Sequence, residues 1–168
     1  MTATPAAAQT PAEMDRLFAE LAQTTGDGWM RAQSDIERAW SRSGSAALDL
    51  LLQRGEAALD AGDPLAAIGH LTALTDHAPD FAAGFAARAQ AYAMVGQFGP
   101  ASADLARTLA LEPRHWGALT QLGAMLEETG ADDRALAAWR QSLEINPHQP
   151  EAQDGVARLT ARQTGQDV

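Results

Sequence analysis

The stretch Trp116–Pro147, WGALTQLGAMLEETGADDRALAAWRQSLEINP, decides the fold. It reads as two amphipathic helices joined at Gly130 and closed by Pro147. Glycine supplies the backbone freedom that a tight turn needs. Proline ends the unit because it lacks an amide hydrogen and disfavours helix in the residue before it. The same plan recurs twice upstream. Pro79, Pro113 and Pro147 stand at 113 − 79 = 34 and 147 − 113 = 34 residues. Gly62, Gly96 and Gly130 keep that interval at the inner turn, and Ala67, Ala101 and Ala135 keep it in the second helix, with Leu71, Leu105 and Trp139 following four residues later. In the first helices Leu51, Phe85 and Leu119 are each followed four residues on by Gly55, Ala89 and Gly123. A small residue in each partner helix lets two backbones approach while larger apolar side chains fill the seam beside them.

Outside these copies, Pro11–Gln23 carries Leu17, Phe18 and Leu21 at helical spacing, and Trp29–Arg42 puts Trp29, Ala32, Ile36, Ala39 and Trp40 on one stripe. This hairpin has about the repeat's size and a poorer internal pattern, which suits a terminal cap. Pro150–Gln163 predicts a last helix whose Ala152, Val156 and Leu159 cover the face left open by the final hairpin. The expected organisation is a tail (1–10), an N-terminal hairpin (11–47), three repeats (48–81, 82–115, 116–149), a capping helix (150–163) and a second tail (164–168). In the first tail, Ala6-Ala7-Ala8 before Gln9 matches the small-residue end of a secretory signal, without the basic and apolar portions that would precede it. A signal remnant would place the chain in a bacterial periplasm, and a native tail would leave it cytoplasmic.

The register resembles the tetratricopeptide repeat from Leu48 to about Gln149. The resemblance implies an all-α, right-handed superhelix of helical hairpins, used for protein–protein interaction, with no catalysis and no cofactor. It also implies that the first helix of each hairpin lines the inner wall. Asp49, Leu52, Glu56, Leu59 and Asp60 would stand there in the first copy, and Ala83, Ala86, Gln90, Ala93 and Met94 in the second. Gly117, Thr120, Ala124, Glu127 and Glu128 would complete it. Their spacings of three and four put each set on one helical face. Some members of the family grip the C-terminal carboxylate of heat-shock chaperones with lysines, arginines and asparagines on this wall. The matching places here hold Leu52, Glu56, Ala87, Gly117 and Gln121, so that role is not expected. Arg54 and Arg88 replace a leucine frequent in the family. Each reads either as a salt bridge to a neighbouring hairpin or as an anchor for an acidic ligand group.

The formal charge is -10, from 22 acids against 12 bases, every one an arginine, which argues against non-specific nucleic-acid binding. The acidity is uneven. Asp49, Glu56, Asp60, Asp63, Asp76 and Asp80 oppose only Arg54 in the first copy, whereas Arg88, Arg107 and Arg114 outnumber Asp104 and Glu112 in the second. The third is acidic again, with five acids against Arg134 and Arg140. A wall with an apolar middle and acidic flanks suits a partner segment with apolar anchors and basic neighbours. The function expected is that of an adaptor or assembly factor holding such a segment. The rival readings are a structural or self-associating subunit without a peptide ligand, and a small-molecule or metal carrier using Arg54, Arg88 or the histidines.

The chain has no cysteine, which excludes disulfides and thiolate metal sites, and no apolar run approaches the ~18 residues of a membrane helix. His70 and His77 lie roughly 10 Å apart along one helix and cannot chelate one ion. His115 and His148 read as exposed turn residues, so no metal site is expected. The glycines are periodic and therefore structural, and no catalytic set stands out. Glu127–Glu128 and Asp132–Asp133 read as solvated helix ends, with Asp132 or Asp133 as a cap. Among the tryptophans, Trp139 fills a seam and Trp116 packs on the preceding repeat. Trp29 and Trp40 are expected to glue the N-terminal hairpin to Leu48–Leu52.

Overall fold

The computed structural model describes residues 9–166. They form helices α1 (Pro11–Leu21), α2 (Gly28–Trp40), α3 (Ala46–Asp60), α4 (Pro64–His77), α5 (Ala82–Met94), α6 (Phe98–Leu111), α7 (Trp116–Glu128), α8 (Asp132–Ile145) and α9 (Pro150–Gln166), with no strand among the described residues. The helices start where the sequence offers an acceptor. The Thr10 hydroxyl and the Glu13 carboxylate close a reciprocal cap on α1, and Asp63 accepts the Ala66 amide at α4 directly before Pro64. Gly62, Gly96 and Gly130 end α3, α5 and α7 at φ of 72°, 72° and 77°, a left-handed conformation that costs glycine nothing.

Three hairpins, α3–α4, α5–α6 and α7–α8, stack into an α-helical superhelix. The small-against-large pairing is literal at each seam. A Cβ added at Gly55 would lie 2.5 Å from the Leu71 side chain, and one at Gly123 would lie 2.6 Å from the Trp139 ring. Ala89 and Leu105 share the corresponding core cluster. Trp139, 1% exposed, meets a second glycine on its other side: a Cβ at Gly155 of α9 would also come within 2.6 Å of the indole. The last helix closes the stack through this ring together with Ala152 and Leu159, both fully buried.

Buried polar groups lock the seams further. Arg88 of α5 reaches Asp104 of α6 with Nε and Nη2 at 2.7 and 2.8 Å, and its Nη1 donates to Thr75 of α4 at 2.6 Å. Arg88 is thus a structural ion pair, but the salt bridge lies inside the hairpin α5–α6, and it is the hydrogen bond to Thr75 that reaches the neighbouring hairpin. Arg54 is exposed and has no ion-pair partner among the described residues. The helix after Pro150 runs to Gln166, three residues past the expected end, because Arg158 and Arg162 bind Glu127, Arg162 also binds Asp132, and Gln163 donates to Asp133. Asp132 and Asp133 sit in the first turn of α8, whose N-cap is Ala131, so neither is a cap; Asp133 remains exposed, and both bond to side chains of α9. The signal-like Ala6-Ala7-Ala8 and the final residues 167–168 lie outside the described residues.

The N-terminal hairpin departs from expectation. It does not cap the stack. The repeat register explains why. Gly84 and Ala118 are buried against the preceding repeat, and a Cβ at Gly84 would already lie 3.0 Å from Leu74. The residues 34 positions earlier are Leu50 in place of Gly84 and Trp40 in place of Leu74. Two large side chains would have to share a seam sized for a glycine and a leucine, and overpacking of that kind disfavours the seat. Leu50 is left 45% exposed, and α1–α2 turns back across the molecule.

Gly123→Ala and Gly155→Ala are each expected to destabilise the protein by roughly 1–3 kcal/mol, since the enclosed Trp139 ring cannot swing aside. Gly69→Ala, at an exposed site in α4 with nothing within 4 Å of its added Cβ, is expected to stabilise by up to about 1 kcal/mol. Urea denaturation of the three variants checks this, and equal midpoints would reject the account of the seam.

Candidate functional site

The apolar face of α1–α2 (Leu17, Phe18, Leu21, Ala32 and Ile36) lands on Trp116 at the start of α7 and on Ile145 at the end of α8. Two histidine–tryptophan stacks hold it there. Trp40 lies on His115 with ring centroids 4.4 Å apart and planes within 9°, and Trp29 lies on His148 at 3.9 Å and 7°. Phe18 meets Trp116 edge-on, and the Arg114 guanidinium covers Phe18 at 3.9 Å while pairing with Asp15. Asn146 donates to Gln33, and the His148 ring bonds the Gln23 carbonyl. Trp29 and Trp40 therefore glue the hairpin to the turns before α7 and α9, not to Leu48–Leu52. The two turn histidines are landing sites and not free exposed side chains, and Trp116 packs on the hairpin.

His115 has a second task. Its Nδ1 accepts the Ala118 amide and caps α7, so the ring is neutral with its proton on Nε2. Burial pushes its pKa down to about 4. At the other end of the hairpin, Asp49 accepts both the backbone N–H and the hydroxyl of Ser43, at 2.7 and 2.6 Å. It fastens the link between α2 and α3 and does not face the groove.

With α2 turned back, its C-terminal end roofs the concave wall. A cleft of about 490 Å³ opens between Glu37, Trp40 and Ser41 on one side and α3, α5 and α7 on the other. Of the residues expected on the wall, Glu56, Leu59, Asp60, Ala83, Ala86 and Gln90 border it, with Leu59 and Ala86 forming a nearly buried floor. The Glu56 carboxyl is raised above its ordinary range by burial and by neighbouring Asp60. Adjoining the cleft is a trough of about 480 Å³ between α5 and α7, with Ala93, Phe98, Leu105, Ala124 and Met125 as apolar lining and Gln90, Gln121 and Glu128 among its polar residues. Gln90, Gly117 and Gln121 belong to both spaces.

Other residues expected on the wall sit elsewhere or are engaged. Leu52, 2% exposed, is in the core with Leu71 and Leu74. Met94 is exposed but borders neither space. Glu127 is held by two arginines, which keep its carboxyl below the ordinary range. Thr120 reaches the trough, but its hydroxyl is bonded to Gln149 and Ser142. Glu37, Trp40 and His115 were missed, because their place depends on where the hairpin docks. Gln121 was visible as a groove position, yet carried no charge to mark it. Among the described residues no three of His, Asp or Glu come together as a metal site, and no helix is long and apolar enough to cross a membrane.

No family model matches the chain. A TPR repeat-containing protein of Rhizobium etli is 31% identical over 153 residues, covering 90% of this chain and 75% of that protein. The first TPR of Spaghetti (RPAP3) bound to HSP90 peptide SRMEEVD superposes with a TM-score of 0.66 at 22% identity, over 70% of this chain and 93% of that one. MamA superposes over 95% of this chain and 88% of its own, with a TM-score of 0.66 at 21% identity. At these identities the two structures speak to the fold alone.

Acid should loosen the hairpin through His115. The unfolded ring titrates near 6.5 and the folded one near 4, so its contribution is intact above pH 6.5 and is lost as pH falls from there to 4. The full loss is on the order of 3 kcal/mol. His115→Asn keeps an N-cap acceptor but cannot titrate, so its stability deficit relative to wild type, measured by urea denaturation, is expected to shrink between pH 7 and pH 4.5. A constant deficit would exclude His115 as the source.

Proposed function

The chain belongs to the tetratricopeptide-repeat family, and we propose that it is a non-enzymatic interaction module, an adaptor or assembly factor, that holds a segment of another protein along its concave face. One observation carries this reading. Glu56, Asp60, Gln90 and Gln121 converge on the roofed cleft, and none makes a side-chain hydrogen bond or ion pair among the described residues. The inward acids Asp104 and Glu127 are, by contrast, matched by arginines of the same chain. Polar groups gathered in a concavity and left without internal partners are what an incoming backbone and its side chains would use. The hairpin supports the reading too, because it converts a shallow wall into a cleft without filling it. The place for the partner comprises Glu56, Leu59, Asp60, Ala83, Ala86 and Gln90 on the cleft side, and Ala93, Thr120, Ala124 and Glu128 on the trough side.

A Gln90→Arg, Gln121→Arg double variant tests the site, since both side chains border both spaces and neither is buried. Helical circular dichroism should be retained, while a partner captured by the wild-type chain from an extract of its source organism should bind about tenfold more weakly or be lost. Undiminished binding of the same partner by the folded variant would remove the concave face from consideration.

A further inference from the structure

The two adjoining spaces differ in chemistry, and the difference specifies an occupant. We infer that the partner segment places an arginine or lysine side chain in the cleft under α2 and a bulky apolar side chain, close by in its sequence, in the trough between α5 and α7. This rests on the reading that the concave face holds a partner.

The cleft is a cavity bordered by three carboxylates, Glu37, Glu56 and Asp60, and by no arginine. Its one basic-type residue, His115, is neutral because its Nδ1 is engaged as an acceptor. Carboxylates brought together in a concavity repel each other, and the Glu56 carboxyl is raised first by partial burial and then by the charge of Asp60. A cation entering the cleft would relieve that repulsion. Elsewhere in the fold the same need is met internally, as Arg88 does for Asp104 and Arg158 and Arg162 do for Glu127. Trp40 and Trp116 border the cleft as well, as part of its wall, their rings packed on His115, Phe18 and each other. The trough is the more apolar of the two spaces. Ala93, Phe98, Leu105, Ala124 and Met125 line it, with Glu128, Glu151 and four uncharged polar residues at its borders, and its volume of about 480 Å³ admits a leucine, isoleucine or phenylalanine. The shared Gln90 and Gln121 supply amides at the crossing point, which suits the backbone of a single extended segment passing from one space to the other. A segment rich in acids, or one presenting a terminal carboxylate to the cleft, would meet like charge.

The test is selection of random ~12-residue displayed peptides on the full chain, followed by titration of a selected peptide and two analogues with its basic residue changed to norleucine or glutamate. Selected peptides are expected to carry arginine or lysine near a large apolar residue, and the norleucine analogue to bind about tenfold more weakly. A Glu56→Gln, Asp60→Asn variant, nearly isosteric and so expected to fold, should lose a similar factor for the parent peptide and little for the norleucine analogue. If peptides are selected that bind through Gln90 and Gln121, as the Gln90→Arg, Gln121→Arg variant reports, but show no preference for a basic residue, the cation seat is wrong and the groove stands. If binding ignores the glutamine substitutions, or no peptide is enriched, the concave reading fails and this inference with it.

Discussion

How near two helix backbones can come governs this molecule. At each seam a residue with little or no side chain faces a large one, and the third seam carries the principle furthest. Trp139 occupies the space between Gly123 and Gly155, so one indole joins α7, α8 and α9. A methyl group on either glycine would overlap the ring. The large buried area of the aromatic ring then favours docking of the last helix. With α9 seated, Arg158 and Arg162 are brought to Glu127 and Asp132. Two of the five acids of the third repeat are paired as a consequence of that one steric fit.

The same constraint acts in reverse at the other end. Where the array needs a glycine or alanine it has Leu50, and where it needs a leucine it has Trp40, so the first hairpin has no seat on the stack. Its aromatic face still has to be covered. Trp116, His115 and His148 offer the only aromatic surface on the turns it reaches, and stacking there buries Phe18 and much of Trp40. The cleft is the by-product: a hairpin excluded from the end of the stack becomes a roof over its concave side.

These two consequences were unequally visible beforehand. The seams could be read because they repeat: Gly55, Ala89 and Gly123 recur at one interval with Leu71, Leu105 and Trp139, and no long-range knowledge is needed to pair them. The landing of the hairpin could not be read, because Trp40 finds His115 through a contact far along the chain that no period encodes. The wall was legible in part. The family resemblance put Glu56, Leu59, Asp60 and Gln90 on one wall, and spacing kept each helix's set on one face, but neither shows what a neighbour has already claimed. Asp49 is claimed by Ser43, Leu52 by the core, and Glu127 by two arginines supplied by a helix outside the repeats. Glu37 and Trp40 entered the cleft only through the misfit at Leu50.

Net charge gives a poor account of such a surface. The chain is acidic as a whole, yet its inward carboxylates Asp104 and Glu127 are matched by arginines, and the excess that matters is the small set under α2. Glu56 stands beside Asp60 without a counter-ion among the described residues, and its carboxyl is raised by partial burial and by that neighbour. Arg54 lies two residues before Glu56 and is exposed, yet no ion pair joins it to either acid among the described residues. Acids left without internal partners, in a concavity that the fold has roofed but not filled, make better sense as half of an interface than as part of a scaffold.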